Sequence, residues 1–228
     1  MDHLIRQFDL IPENKLSQRI TIIGAGAIGS HTSIALAKMG FINQLVYDFD
    51  EVSIENMNCQ GYRFKDIGKS KVQCLAEIVK EYSGADIETK HEMFDSQPLD
   101  GIVISAVDSM KVRQTIWNAC KNNIMVDYLI DPRMSIEYAL KYVIKPTIPM
   151  DIEDYEKTLY SDENSVQERC TMKSVMYTAN LISGLVARDV KNLVCKDNYD
   201  RVVTYDIETN SMMRWKNDSG LAASNQNA

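Results

Sequence analysis

No two cysteines of this sequence stand in C-x-x-C spacing. The five present, at 59, 74, 120, 170 and 195, are odd in number and far apart, which supports neither a zinc ribbon nor a disulfide framework and suits a reducing compartment. The three histidines, at 3, 31 and 91, show no metal-ligand spacing. No stretch approaches the roughly 20 apolar residues of a membrane-spanning helix. The polar, acidic start MDHLIRQFDLIPENK lacks the pattern of a signal peptide. Positive charge is short as well: 25 lysines and arginines face 32 acids, for a formal net charge of −7. That argues against bulk binding to nucleic acid or to an anionic membrane. There is no repeat and no low-complexity run. The expectation is a cytoplasmic protein with neither nucleic acid nor membrane as partner.

What is present is an ordinary globular balance, 45% hydrophobic and 25% charged over 228 residues, enough for one sizeable core. Short β-branched or apolar runs at 20–23, 44–47, 101–105 and 123–127 alternate with amphipathic stretches at 28–39, 69–82 and 110–121, with a short strand at 86–90. Strands alternating with helices imply an α/β protein with a mainly parallel sheet covered on both faces. Beyond it, residues 135–146 predict a longer strand and 201–208 a last one. Residues 171–194 predict a long amphipathic helix. Residues 147–168 are acidic with little periodicity and are expected to be a mobile loop, and 217–228 a disordered tail. The reading is a Rossmann-like, doubly wound sheet with an antiparallel C-terminal extension, forming one nucleotide-binding domain over 1–216.

The chemistry begins at GAGAIG, where Gly24, Gly26, Ala27 and Gly29 form G-x-G-x-x-G between a strand and a helix. Glycines allow the tight turn and let backbone approach a phosphate, and the helix start supplies free N–H groups and a positive dipole end. Asp50 stands 21 residues after Gly29, at the end of the second strand, where an acid bonds ribose hydroxyls. The alternatives are a ligand-free turn and a solvated acid. These signals specify an adenine nucleotide without separating NAD from ATP.

The stretch DFDEVSIENMNCQ, with DIGKSKV after it, is more polar than hydride transfer requires. It resembles the ThiF/MoeB adenylyltransferases, relatives of ubiquitin-activating enzymes, whose pattern runs D-x-D-x-V-x-x-S-N-L-x-R-Q and then D-x-G-x-x-K-V. Asp48, Asp50, Val52, Asn56 and Gln60 fall on it, followed by Gly68, Lys71 and Val72. SAVDS with Arg113 is similar to the family's C-T-D-N…R element, Cys170-Thr171 to its T-C element, and Tyr205-Asp206 to a late strand. The resemblance covers about residues 19–216. It implies acyl adenylation: a carboxylate attacks the α-phosphorus of ATP and pyrophosphate leaves. It implies that Asp108 holds Mg²⁺, Lys71 contacts phosphate, Asn56 and Gln60 position phosphate or ribose, and Asp50 takes the ribose. It further implies a homodimer whose partner is a ubiquitin-like or sulfur-carrier protein, or a peptide C-terminus. Arg6-Gln7 resembles an element that some members insert into the partner subunit's site.

There are departures. Cys59 stands where the family has a phosphate-binding arginine, and a thiol replaces neither its charge nor its fork of donors. Arg63 and Lys69 are near enough in sequence to compensate. The family's zinc-binding cysteine pairs are absent, so no zinc is expected. Cys170 is open between a thioester-forming nucleophile and a small thiol at a helix start. Trp117 and Trp215 read as packing residues, and His31 as a helix-surface residue close to the glycine loop. Two other functions stay open: a degenerate relative that binds nucleotide or a protein tail without chemistry, and an NAD-dependent oxidoreductase. The latter leaves Asn56, Gln60, Lys71 and Asp108 unexplained.

Overall fold

The computed structural model describes residues 2–160 and 175–216. Eight strands form one sheet in the order β3-β2-β1-β4-β5-β6-β7-β8. β1 (Ile20–Ile23) and β4 (Gly101–Ser105) are buried along their whole length. Both sides of each carry apolar groups, as strands of a doubly covered sheet must. Parallel pairing joins β1 to β2 (Gln44–Tyr47) and to β4, β2 to β3 (Glu88–Lys90), and β4 to β5 (Val126–Met134). β6 (Tyr138–Ile144), β7 (Asp200–Asp206) and β8 (Ser211–Lys216) then add on antiparallel. The α/β reading with an antiparallel extension is the observed fold.

The helices divide between the faces. α1 (Ala27–Lys38), α2 (Lys71–Ser83) and α5 (Met176–Cys195) pack on one side, where Leu36, Leu75 and Val186 share a core with Ile20, Ile22 and Ile104. α3 (Met110–Cys120) and α4 (Pro149–Glu156) cover the other, where Trp117 and Tyr155 meet Ile23 and Val103. Trp117 and Tyr155 stack edge to face at 4.8 Å, a favoured aromatic geometry. α1 closes through Gly40 at φ +89°, the left-handed position that glycine adopts freely.

Three expectations are corrected, and one strand is added. The fifth strand begins at Val126 and runs to Met134, not over 123–127: Ile124 and Met125 are exposed and lie before it. Residues 149–156, expected within a loop, form α4, with proline in its first turn and Tyr155 buried. Trp215 is half exposed on β8 rather than packed. β8 itself had no counterpart in the sequence reading. Residues 161–168 of the expected loop, Cys170, Thr171 and the tail at 217–228 lie outside the described residues.

An ion pair is buried between β6 and α5. Lys141 on β6 and Asp189 on α5, both fully buried, face each other as an ion pair. Lys141 also donates to the Asp200 carbonyl at 3.3 Å. Burial pushes the Asp189 carboxyl up and the Lys141 ammonium down, the expected direction for charges removed from water.

Candidate functional site

β1 ends at Ile23 and the chain turns through Gly24, at φ +95°. A Cβ there would meet the Ala106 carbonyl oxygen at 2.5 Å, and one on Gly29 would meet the Gly24 carbonyl oxygen at 1.9 Å. Both positions therefore require glycine, because backbone cannot give way as a flexible side chain can. Gly26 differs: a Cβ there meets nothing within 4 Å. It stands at the N-cap of α1 with no side-chain capping bond, so the first turn faces open space with N–H groups available to an anion.

Around this turn the chain is tied down from two sides. Asp48 Oδ2 accepts from the Ala25 N–H at 2.6 Å and Oδ1 from the Asp50 N–H at 2.8 Å. Asp48 is thus a clamp between the glycine loop and the end of β2. From the other side, Tyr62 donates to the Ala25 carbonyl at 2.6 Å and the Gly61 N–H donates to Ser30 Oγ at 3.0 Å. His31 Nε2 lies 3.1 Å from the Cys59 carbonyl. A carbonyl only accepts, so Nε2 is the donor. Ser30, His31 and Tyr62 are holding residues that the pattern reading did not assign. Their contacts span about thirty or more positions in the chain and leave no periodic signal. His31 is half-buried against this turn, not simply on a helix surface.

Burial lowers the His31 pKa. The unfolded chain takes up this proton at the ordinary histidine pH, near 6.5, and the folded chain only below it. The stability due to the neutral ring is therefore full above about 6.5 and lost as pH falls below that. Unfolding titrations at pH 7 and pH 5 should show a larger stability loss in the unaltered chain than in His31→Gln. Equal losses would mean that the ring charges freely in the fold.

Asp50 and Lys71 come together: Lys71 Nζ donates to Asp50 Oδ2 at 2.8 Å, and the Lys71 N–H to the Asp50 carbonyl at 3.0 Å. The lysine side chain is largely buried and the acid's is half exposed. Asn56 closes a capping box with Ser53, its Oδ1 accepting from the Ser53 N–H at 2.9 Å. Gln60 Oε1, Ser70 Oγ and Ser105 Oγ are buried without hydrogen-bond partners among the described residues. Such orphaned acceptors and donors are uncommon in a finished core.

Asp108 follows β4 and is exposed. It does not cap α3; Ser109 does, accepting from the Val112 N–H at 3.4 Å. Among the described residues Asp108 has no side-chain hydrogen bond or ion pair. The glycine loop is its neighbour, since Gly24 abuts Ala106 and Val107. A divalent ion fits one free carboxylate beside an anion-binding turn. Among the described residues no three histidine, cysteine or acidic side chains gather as a cage, so the remaining ligands would be phosphate and water, the usual manner of Mg²⁺ with nucleotides.

Two expectations meet a different geometry. Arg63 is held by Asp66 at 2.8 Å, Glu81 at 2.7 Å and Glu77 at 3.1 Å, which raises its pKa. It is engaged by three carboxylates, and the Cys59 thiol, in the place of the family's arginine, is buried. Arg6 is exposed, next to Gln7, which donates to the Met39 carbonyl at 2.6 Å. That is the far end of α1, roughly 18 Å of helix away from the glycine loop. Of the other cysteines, burial pushes Cys120 up to about 12 and Cys74 up as well, which leaves them poor nucleophiles.

A cavity of about 450 Å³ opens elsewhere, between α4 and the outer strands, walled by Tyr142, Tyr155, Arg201 and Trp215. Arg201 is paired with Asp151 at 2.9 Å and Asp154 at 3.3 Å, so this groove is poorly suited to a triphosphate.

A family model described as the ThiF family matches residues 5–223. Among curated proteins, the NEDD8-activating enzyme E1 catalytic subunit of Arabidopsis thaliana is 32% identical over 105 residues, 43% of this chain and 23% of that protein. Ubiquitin-like modifier-activating enzyme 5 of Drosophila mojavensis is 30% identical over 125 residues, 46% of this chain and 31% of that protein. The matches thus span about a quarter to a third of these relatives. Among solved structures, E. coli MccB with ATP superposes with a TM-score of 0.76 at 16% identity, over 95% of this chain and 71% of that one. MccB in complex with N-formylated MccA gives 0.77 at 14% identity, over 94% and 72%. At such identities these two likenesses concern the fold.

Proposed function

The chain belongs to the ThiF family, and on that premise we propose that it is an ATP-dependent adenylyltransferase. Its substrate is a C-terminal carboxylate, of a ubiquitin-like or sulfur-carrier protein or of a peptide, which it converts to an acyl-adenylate. The observation that carries this reading is the uncapped start of α1 at Gly26, facing open space, flanked by the Asp108 carboxylate, unpaired among the described residues, and by the Lys71–Asp50 pair. A cation and a lone carboxylate at one anion-binding turn suit a triphosphate with its metal better than a dinucleotide. The names of the curated relatives, both activating enzymes, and the ATP in one MccB structure support it.

In the proposed reaction a carboxylate oxygen attacks the α-phosphorus. The bond from that phosphorus to the bridging oxygen breaks, and pyrophosphate leaves with the electron pair. The nucleophile is already ionised at neutral pH, so the protein's part is alignment and charge stabilisation. The α1 N-terminus holds phosphate. Asp50 takes the ribose hydroxyls, and Lys71, released from Asp50, turns to phosphate. Gln60 offers its unpartnered oxygen to a hydroxyl, and Asn56 keeps its NH₂ group for the nucleotide. Mg²⁺, when bound, would neutralise the phosphates, and Asp108 is the residue that would hold it. Arg6, at the far end of its own α1, would serve only the site of a second copy, which makes a homodimer part of the proposal. Cys170 is assigned no step.

A second reading is favoured by Cys59 and Arg63: with a buried thiol in the arginine's place and Arg63 committed to three carboxylates, the chain binds nucleotide or a protein tail without chemistry. Calorimetric titration with ATP·Mg²⁺ and with NAD, followed by ATP–pyrophosphate exchange with a candidate tail, decides. Adenylation requires that ATP·Mg²⁺ binds, NAD does not, and exchange depends on the tail. Binding without exchange for any tail favours the second reading, and binding of NAD alone sinks both.

A further inference from the structure

The β4–α3 turn that carries Asp108 is held by few bonds. Its last ladder contact is the Ala106 N–H on the Ile23 carbonyl at 2.8 Å, and its helix cap at Ser109 is long, at 3.4 Å. Between them, among the described residues, one strong bond remains: Arg113, buried on α3, donates from a terminal nitrogen to the Val107 carbonyl at 2.6 Å. The same guanidinium donates from Nε to Asp131 Oδ1 at 2.7 Å. Asp131 is fully buried near the end of β5. Its other oxygen takes Arg133 Nε at 2.9 Å and the Tyr155 hydroxyl of α4 at 2.9 Å. Arg133 reaches on to the Thr158 carbonyl at 3.2 Å and hydroxyl at 3.1 Å, and lies over the Tyr142 ring at 4.9 Å. One carboxylate thus orients two guanidiniums, one gripping the residue before Asp108 and one gripping the chain just after α4.

A buried ionic cluster contributes little net stability compared with apolar residues of the same volume, so stability alone gives no reason for this one. We propose that Asp131 is a positioning residue: through the fork of Arg113 it sets the Val107 carbonyl, and so the place of the Asp108 carboxylate beside the glycine loop, and through Tyr155 and Arg133 it makes that placement depend on the seating of α4. This rests on the reading of Asp108 as the carboxylate on the metal–phosphate side. A guanidinium is needed because two acceptors in different directions are engaged at once; an ammonium on a flexible stem reaches one.

The test uses the full chain and calorimetric binding of ATP with Mg²⁺ and with chelator, alongside thermal unfolding. The quantity read is the gain in ATP affinity that Mg²⁺ confers. In Arg113→Lys and Asp131→Asn this gain should fall by about 10- to 100-fold, the usual effect of removing an outer partner of a metal ligand, while affinity in chelator stays near that of the unaltered chain. Tyr155→Phe, which keeps the volume and the Arg113 contact, should lower the gain by roughly 2- to 10-fold, and serves if the other two fail to fold. Folded variants that melt earlier but keep the full gain would overturn the proposal and leave Asp131 a structural residue. Asp108→Asn separates the two layers. If it abolishes the gain, the reading beneath the proposal stands and the other variants judge the positioning. If it keeps the gain, the assignment of Asp108 itself falls.

Discussion

Asp108→Asn should lower ATP–pyrophosphate exchange by about 100- to 1,000-fold, the range seen when one preorganised electrostatic partner of a transition state is lost. Asparagine keeps size and shape and removes the charge. The residue is exposed, is not the cap of α3, and has no ion pair or side-chain hydrogen bond among the described residues. The fold therefore has little to lose, and melting should be almost unchanged. That combination distinguishes this position from its neighbours: Arg113 and Asp131 are buried and bonded, and changes there should move stability as well as binding. Exchange at the unaltered rate in Asp108→Asn would remove this carboxylate from the mechanism. Exchange lost together with melting temperature would mean that the side chain supports the β4–α3 turn.

Asp189→Ala is expected to destabilise the chain by about 3–5 kcal/mol, because it leaves the Lys141 ammonium buried beside the Asp200 carbonyl, with that residue's carboxylate further off. Lys141 and Asp189 are both fully buried, and the nearest other acceptor is the Asp200 carbonyl at 3.3 Å. The double change Lys141→Met with Asp189→Leu should recover most of the loss, since it removes both charges and keeps the volume between β6 and α5. Denaturant unfolding with unchanged slope measures both. A single variant losing less than about 1 kcal/mol, the scale of a surface pair, would show that water reaches the pair in solution. Either result concerns stability; among the described residues the pair's further polar contacts run to the Asp200 carbonyl and to Arg188.

The parts of the site that were legible in the sequence are those whose physics is local. In GAGAIG, the close approach of Gly29 to Gly24 and the open helix start at Gly26 follow from backbone only six residues long. The β-branched runs of β1 and β4 are buried on both faces, so composition alone implied strands covered on both sides. Even the salt bridge of Lys71 with Asp50 brings together two residues already singled out.

What only the tertiary structure decided lies where a side chain's role depends on what folds against it. Arg63, four residues from Cys59, looked free to replace the missing arginine; Asp66 of its own turn and Glu77 and Glu81 on α2 claim it instead, because an ion pair forms with whichever charge the fold brings within reach. Ile124 and Met125 look like the start of a strand, but the ladder begins after them, at Val126. Asp131-Pro132-Arg133 has the composition of a turn and lies inside β5, since its buried charges find partners on α3 and α4, far away in the chain. Acidic residues 149–156 form a helix because Tyr155 has Trp117 and Asp131 to bury against. Local backbone preference and hydrophobic pattern are written along the chain. The pairing of charges across 18 to 48 positions, as at Asp131 and Asp189, is settled only when the sheet and its helices close.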